Sequence, residues 1–296
     1  MPAELGADAS TGRLEAGQVR AMFDRVASVY DVLNTVMTAG LHHRWRSRAV
    51  DFAQVSPGSR VLDVATGTGD LAIELLRRVS PGGEVIGSDF SEAMLARARS
   101  KGARALAEMV ADAHGVGTPA GADEPQMGAL HAARNGSARV APASLSFDWG
   151  DALALPYPED SFDAATVGFG ARNFADLRAG LEEMVRVVRP GGRVVVLEMT
   201  TPTRLPLSLF YRVWFDRVVP MLGKLAQLLA GLTSSVRGRS SSDTIAQAYT
   251  YLPNSVKRFH SPAELAFEME RAGCGEIGYV LMAGGIIAIH GATVPG

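Results

Sequence analysis

The most informative segment of this chain is VLDVATGTGDLA, Val61 to Ala72. An apolar run comes first, then a glycine-rich turn, then apolar residues at helical spacing, so the segment predicts a strand, a turn and a helix. The turn fits G-x-G-x-x-G/A through Gly67, Gly69 and Ala72, and Asp89 follows 20 residues after Gly69. Glycines at such a turn let a ligand approach the backbone closely. The segment therefore predicts a ligand-binding βα unit.

The alternation of strand and helix patterns continues beyond this unit. Strands are predicted at 60–64, 84–88, 145–149, 162–167 and 193–198, and two more around a turn within 280–289. Helices are predicted at 70–79, after a capping Ser91, at about 176–188 and near 263–272. Alternating strands and helices predict an α/β fold with a doubly wound, mostly parallel sheet and right-handed crossovers.

Other segments lack the strand pattern. Residues 1–16 form a polar, Gly/Ala-rich tail, and apolar residues at helical spacing from Val19 to about Ala53 predict a helical cover, split near Gly40. Residues 110–143 are rich in Gly, Ala and Pro without apolar periodicity, and we interpret them as a surface insertion. A second insertion is predicted at 224–244. The predicted organisation is a tail (1–16) followed by one domain (17–296).

Composition excludes several classes of protein. Hydrophobic residues make up 47% of the chain, which excludes wholesale disorder. Lys and Arg number 29 against 31 Asp and Glu, a net charge of −2, so no nucleic-acid partner is expected. Cys274 is the only cysteine, and no dense His/carboxylate cluster is visible, so no metal is expected. Without a signal-peptide pattern or an apolar run of ~20 residues, we expect a cytoplasmic protein.

The acidic residue at the end of the first strand bears on the choice of ligand. A dinucleotide and S-adenosylmethionine both carry an adenosine ribose whose hydroxyls need a carboxylate acceptor, so the glycine pattern alone leaves both open. Asp63 would repel a pyrophosphate, whereas it would attract a sulfonium ligand that carries an ammonium group. The sequence therefore favours S-adenosylmethionine. An NAD-binding oxidoreductase or a non-catalytic nucleotide-binding module is the alternative.

Each strand end receives a predicted role, because open α/β sheets bind ligands at the carboxyl ends of their strands. Asp89 would accept hydrogen bonds from the ribose hydroxyls. Asp151 and the backbone of Ala152 would meet the adenine edge, with a helix cap as the alternative for Asp151. Gly67 and Thr68 would contact the methionine portion. The full predicted set is Asp63, Gly67, Thr68, Gly69, Asp89, Asp151, Ala152 and Gly168.

Several stretches together resemble the ubiquinone/menaquinone biosynthesis C-methyltransferases. They are MFDRVASVYDVLN (22–34), VLDVATGTGDLA, GDALALPYPEDSFDA, GFGARNFAD, RVVRPGGRVVVLEMTTPT, YTYLPNSVKRFHSP and AGGIIAIH, and they span about 19–290. The phrase FG-x-RN (169–173) is specific to the family, whereas the Pro-Gly-Gly turn is shared by many methyltransferases. One departure is Gly168, where many members have a serine that would contact the donor.

The resemblance implies a class I, Rossmann-like fold, with S-adenosylmethionine as co-substrate and a polyprenylated quinol as acceptor. Demethylmenaquinol is the favoured acceptor, and the 2-methoxy-6-polyprenyl-1,4-benzoquinol precursor of ubiquinone is the alternative. A small soluble or sterol-like acceptor is a remoter one.

Catalytic residues are predicted next to the fourth strand. A quinol ring carbon is a poor nucleophile until a neighbouring hydroxyl is deprotonated, so the enzyme must favour the phenolate. We predict that Arg172 stabilises the quinolate, through a water that takes the proton, and that Asn173 orients the ring. Tyr30 would close the site or contact donor or quinol, unless it only packs a helix. A purely structural Arg172 would need a carboxylate such as Asp176. Weaker candidates for a base are His42, His43 and His260.

The segment Leu205 to Leu232 is apolar, with Trp214 and basic residues interspersed. An amphipathic helix of this kind predicts peripheral contact with the inner face of a membrane, where a prenylated quinol resides. A core-facing helix or a homodimer contact is the competing interpretation.

Overall fold

The computed structural model describes residues 16–27, 31, 35, 38, 40–113, 142–202, 205, 208–209, 221, 251 and 254–296. The described helices are α1 (Ala16–Val26), α2 (His42–Ala53), α3 (Asp70–Val79), α4 (Glu92–Ala113), α5 (Leu177–Val187) and α6 (Pro262–Arg271), and a 3-10 turn lies at Ala171–Asn173. The described strands are β1 (Arg60–Val64), β2 (Glu84–Asp89), β3 (Ser144–Trp149), β4 (Phe162–Gly168), β5 (Val188–Met199), β6 (Gly275–Met282) and β7 (Ile287–Thr293).

The strands form one sheet in the order β3-β2-β1-β4-β5-β7-β6. Strands β1 to β5 pair in parallel, and β7 runs antiparallel to both β5 and β6. The chain therefore turns back between β6 and β7, as the two-strand interpretation of 280–289 predicted. Strand order reverses between β1 and β4, which is where a doubly wound sheet opens a ligand crevice. The predicted fold class is confirmed.

Helices cover both faces of this sheet. Trp45 of α2 and Leu75 of α3 belong to the core on one face, whereas Leu181 of α5 and Leu265 of α6 belong to the core on the other. Because parallel strands are buried on both sides, β1 is a nearly continuous apolar run rather than an alternating one. Helix α3 shows why the flanking sequences are periodic: its leucines face the sheet, and its last turn carries two arginines that suit the helix dipole.

Two boundaries differ from the sequence prediction. Helix α4 continues to Ala113, so residues 110–113 are helical rather than part of an insertion. Strand β5 begins at Val188, before the Pro-Gly-Gly turn, rather than at Arg193. The register of β4 and β5 shifts between Phe162 and Ala164, and Gly191 with φ of 78° absorbs the extra residues as a bulge. Residues 1–15, 114–141 and 224–244, which hold the predicted tail and insertions, lie outside the described residues.

None of the helices in the described ranges is long and apolar enough to cross a membrane. Within the same ranges, no group of three or more His, Cys, Asp or Glu side chains is arranged to hold a metal ion.

Candidate active site

A cleft lies at the carboxyl ends of β1, β2, β3 and β4. It contains about 1040 Å³ of atom-free space, counted out to its open mouth, which is ample for a small-molecule ligand. Of the residues predicted to bind the donor or act in catalysis, those that line it are Asp63, Gly67, Thr68, Asp89, Asp151, Ala152, Gly168 and Asn173. Gly69 and Arg172 lie behind its wall, and Tyr30 lies outside the described residues.

The glycine-rich turn is built from two glycines with different tasks. Both have positive φ, 57° at Gly67 and 83° at Gly69. A Cβ at Gly67 would have no atom within 4 Å, because this residue faces the cleft. A Cβ at Gly69 would lie 2.9 Å from the Phe147 ring, because Gly69 packs against β3 where α3 begins. Gly67 therefore admits a ligand, and Gly69 lets the helix approach the sheet.

Asp63 is a buried carboxylate held by two hydroxyls. Thr66 donates from 2.6 Å and Thr166 from 2.7 Å, and the residue is 1% exposed. Burial raises the pKa of Asp63 to about 6, although the two hydrogen bonds oppose the rise. A cationic ligand in the cleft would be attracted to the ionised form of this group, and the attraction is stronger in a buried site than in water.

Asp89 ties the turn to the start of α4. It accepts hydrogen bonds from the backbone N–H of Gly67 at 2.8 Å and of Ser91 at 2.9 Å. Burial raises the pKa of Asp89 to about 6, against the effect of these N–H donors. The Phe90 N–H also contributes a hydrogen bond. A carboxylate has about four acceptor positions, so three backbone bonds still leave room for a ribose hydroxyl. The predicted ribose contact stays a prediction.

Asp151 is exposed and forms a local turn. Its Oδ1 accepts from the Leu153 N–H at 2.9 Å, and its carbonyl accepts from the Ala154 N–H at 3.0 Å. This is an Asx-type turn rather than the helix cap that we considered as the alternative. The turn presents Ala152 and Leu153 to the cleft. The contact with adenine stays a prediction.

Arg172 forms a buried ion pair with Glu198 of β5. The two side chains are 5% and 1% exposed, and Glu198 also accepts from the Met199 N–H at 2.8 Å. Asp176, the partner considered from spacing, instead caps α5 by accepting from the Ala179 N–H at 3.1 Å. Residues 172 and 176 do not share a helix, because a 3-10 turn precedes α5. The catalytic role of Arg172 stays a prediction.

Asn173 faces the cleft and is held by a residue that sequence reasoning missed. The Tyr251 hydroxyl donates to Asn173 Oδ1 at 2.8 Å. Tyr251 is 5% exposed and packs against Met22 of α1. Burial raises the pKa of Tyr251, so the phenol remains a donor at neutral pH. Its stretch, YTYLPNSVKRFHSP, was part of the resemblance, but nothing in its spacing pointed to Asn173.

Thr68 meets a polar group from the N-terminal cover. Its hydroxyl donates to Asp31 Oδ1 at 2.6 Å, and Lys101 donates to Asp31 Oδ2 at 3.0 Å. Lys101 also pairs with Asp70, the first residue of α3. These contacts join the cover, α3 and α4 beside the glycine-rich turn. Because the Thr68 hydroxyl already donates its hydrogen to Asp31, Thr68 would contact the methyl donor through its backbone or by accepting a hydrogen bond at Oγ1.

Arg46 of α2 was also missed. It lines the cleft, is 7% exposed, and its Nη2 lies 3.1 Å from Asp70 Oδ2. Burial would raise the pKa of Asp70, but Arg46 and Lys101 lower it overall. Arg46 also donates to Nδ1 of His42, one turn earlier. Burial, with Arg46 nearby, lowers the pKa of His42 to about 4, so this imidazole is neutral at pH 7.

A protein-family model matches residues 11–117 and 125–294, nearly the whole chain. The chain belongs to the ubiE/COQ5 methyltransferase family. It is therefore an S-adenosylmethionine-dependent methyltransferase, as the sequence resemblance predicted.

Similar proteins of this family come from diverse bacteria. The demethylmenaquinone methyltransferase of Thermus thermophilus is 41% identical over 91% of this chain and 98% of its own length. That of Deinococcus radiodurans is 40% identical over 86% of this chain and 84% of its length. The ubiquinone/menaquinone biosynthesis C-methyltransferase UbiE of Geobacter sulfurreducens is 36% identical over 92% and 87%.

Solved structures agree on the fold. A methyltransferase of Thermotoga maritima has a TM-score of 0.53 at 17% identity, covering 92% of this chain and 98% of its own. The cyclase SpnF has a TM-score of 0.51 at 17% identity, covering 95% and 97%. A cyclase among these neighbours means that the fold alone does not specify the reaction, so the reaction must be argued from the family and the site.

Proposed function

We propose that this ubiE/COQ5 family member methylates a ring carbon of a polyprenylated quinol, with demethylmenaquinol as the acceptor. The observation that carries the proposal is the pair of buried carboxylates, Asp63 and Asp89, in the cleft where strand order reverses. Such a cleft suits a cationic donor rather than a pyrophosphate. The names of the Thermus and Deinococcus relatives supply the acceptor.

The residues around the cleft fit S-adenosylmethionine, which when bound supplies an electrophilic methyl group on a cationic sulfur. We assign the ribose hydroxyls to Asp89, the adenine edge to Asp151 and Ala152, and the methionine portion to Gly67 and Thr68. Asp63 contributes negative charge near the amino-acid end. Gly168 would contribute backbone only, since it has no side chain to reach the donor.

On the acceptor side, Asn173 orients the ring. Its amide oxygen already accepts from Tyr251, so its NH₂ group is the part left to donate to a quinol oxygen. The neighbouring hydroxyl gives its proton to a water beside Arg172, and through that water Arg172 stabilises the quinolate that forms. Tyr30 closes the site from the cover. Alignment of the ring carbon, the methyl group and the sulfur would lower the activation barrier by several kcal/mol, on the order of the effect in well-oriented intramolecular reactions.

Arg172→Ala tests the acceptor side. We expect turnover to fall by about 10²-fold or more, as on removal of other transition-state donors, with donor affinity unchanged. Because Arg172 also neutralises buried Glu198, the double variant Arg172→Ala with Glu198→Ala serves as the folding control. Turnover at the wild-type rate would remove Arg172 from the mechanism.

Quinone analysis tests the acceptor itself. Mass spectrometry of cells that lack this protein should show demethylmenaquinone accumulating, and purified enzyme should convert demethylmenaquinol but not the benzoquinol. The benzoquinol is the second candidate, because the Geobacter relative's name covers both pathways. Accumulation of the benzoquinol precursor alone would overturn the choice of naphthoquinol.

We further propose that the segment 205–232 docks the enzyme on the membrane that holds its acceptor. Three of its described residues are exposed and apolar: Leu205, Leu209 and Met221. Flotation with anionic liposomes should carry the intact chain upward and leave a chain lacking this segment behind. If both float equally, or if the segment instead mediates a homodimer in sedimentation experiments, the docking role is wrong.

A further inference from the structure

We propose that Arg46 binds the carboxylate at the amino-acid end of the methyl donor. The inference rests on the proposed function, because it assumes that S-adenosylmethionine occupies the cleft. Arg46 is the only cationic side chain among the described residues that line the cleft. The acidic residues of the same lining are Asp63, Asp70, Asp89 and Asp151.

The charge of the lining explains why a carboxylate would need this residue. The amino-acid end of the donor is a zwitterion with one ammonium and one carboxylate. Asp63 suits the ammonium and the sulfonium, but the negative charge of the four aspartates together disfavours a carboxylate wherever no cation intervenes. Arg46 contacts Asp70, which immediately follows the glycine-rich turn that we assign to the methionine portion. The favourable position for the carboxylate is therefore beside Arg46.

The guanidinium is already held in place before any ligand arrives. It is carried by α2, and it contacts His42 through Nη1 and Asp70 through Nη2. These two contacts use two of its five N–H donors. His42 is neutral at pH 7 and so accepts without adding charge. A fixed, partly desolvated guanidinium is well suited to bind a carboxylate through charge-assisted hydrogen bonds.

A matched ligand pair isolates the carboxylate. S-adenosylhomocysteine and its decarboxylated analogue share adenosine, sulfur and amine, and differ only in the carboxylate. Calorimetry on the full chain should show that wild-type protein prefers S-adenosylhomocysteine, and that Arg46→Met weakens it by about 10- to 100-fold, as expected for a charge-assisted hydrogen bond. Affinity for the decarboxylated analogue should change less than about threefold, within the context dependence of such contacts. Arg48→Met, on the same helix in an exposed pair with Asp51, is the control and should alter neither affinity.

Equal weakening of both ligands by Arg46→Met would overturn the proposal, because it would mean that Arg46 acts only by supporting Asp70 and His42. If Arg46→Met does not fold, Arg46→Gln decides. It removes the charge but keeps hydrogen-bonding groups, so selective loss for S-adenosylhomocysteine supports the carboxylate contact, and unchanged or equally reduced affinities refute it. If the proposed function itself were wrong, the wild-type protein would bind neither ligand, which distinguishes that outcome from a wrong role for Arg46.

Discussion

Two buried carboxylates set the electrostatics of the cleft. Asp63 and Asp89 each have a pKa raised to about 6 by burial. A raised pKa means that the folded protein binds these protons more tightly than the unfolded chain does. These two groups therefore favour the folded state most at low pH, and their contribution decreases as pH rises from about 4 through 6. At neutral pH both carboxylates are largely ionised. Their ionisation lowers the stability of the fold, but it provides the negative charge that a cationic ligand needs.

We expect donor affinity to depend on pH through these groups. A sulfonium ligand binds the ionised carboxylates, so affinity for S-adenosylmethionine should fall between pH 7 and pH 5. At pH 5, one unit below the pKa, each carboxylate that must be ionised for binding lowers the affinity by about 10-fold. Isothermal titration at several pH values measures this directly. Asp63→Asn should flatten the dependence for both S-adenosylmethionine and S-adenosylhomocysteine, because both carry the ammonium that we assign to Asp63. An unchanged pH profile in Asp63→Asn would contradict this assignment.

In the turn between β1 and α3, one glycine is needed for stability and the other for ligand binding. Gly69→Ala places a methyl group 2.9 Å from the Phe147 ring at a φ of 83°, so we expect it to cost about 2 kcal/mol or more of unfolding free energy. Gly67→Ala, at a φ of 57° in open space, should cost only about 1 kcal/mol. Its methyl group faces the cleft, so it should instead weaken the donor.

Chemical denaturation and donor titration of both variants check this separation. Gly83→Ala would not serve as a control, because its Cβ would meet backbone and Val79 at 2.5 Å. Gly17→Ala would, because it lies in α1 with nothing within 4 Å. If Gly67→Ala destabilised the fold more than Gly69→Ala, the division of tasks between the two glycines would be wrong.

Tyr251 links α1 to the turn that carries Asn173. Tyr251→Phe removes only the hydroxyl that fixes the Asn173 amide, so its NH₂ group would no longer be aimed consistently at the acceptor. We expect kcat to fall by about 10-fold, the effect of one neutral hydrogen bond, with donor affinity unchanged. A loss of donor affinity without loss of kcat would show that Tyr251 supports the cover instead.

The elements that could be predicted best from the sequence are those with strong local patterns of apolar residues and glycines. The apolar run of β1, the glycine-rich turn and the periodic α3 were each placed correctly, because their patterns depend on neighbours in the chain. The partners of Arg172 and Asn173 were not predicted, since Glu198 and Tyr251 lie 26 and 78 residues away. Arg46 was missed for the same reason: its place in the cleft depends on how α2 packs on α3, which no local spacing encodes.

Strands β2 and β3 and the helix α4 between them form a βαβ unit whose helix-to-strand connection is unusually long. Helix α4 ends at Ala113, β3 begins at Ser144, and β3 pairs in parallel with β2. Connections between helix and strand in such units commonly need about 2–6 residues. Gly102 of α4 packs against Leu145 and Phe147 of β3, so the two elements already hold each other without the residues between.

We therefore expect that replacing residues 115–140 with a six-residue Gly/Ser linker leaves the fold and the cleft intact. Loop length enters stability only as a slowly growing entropy of closure, each doubling costing about 0.6 kcal/mol, so a shorter connection should hold or slightly raise the melting temperature. Thermal melting and affinity for S-adenosylhomocysteine measure both. The matched control replaces 105–113 instead, which removes the last turns of α4 and the buried Ala105, and should lower the melting temperature. If removal of 115–140 unfolded the protein, or abolished donor binding in a folded protein, these residues would be part of the domain rather than an insertion on its surface.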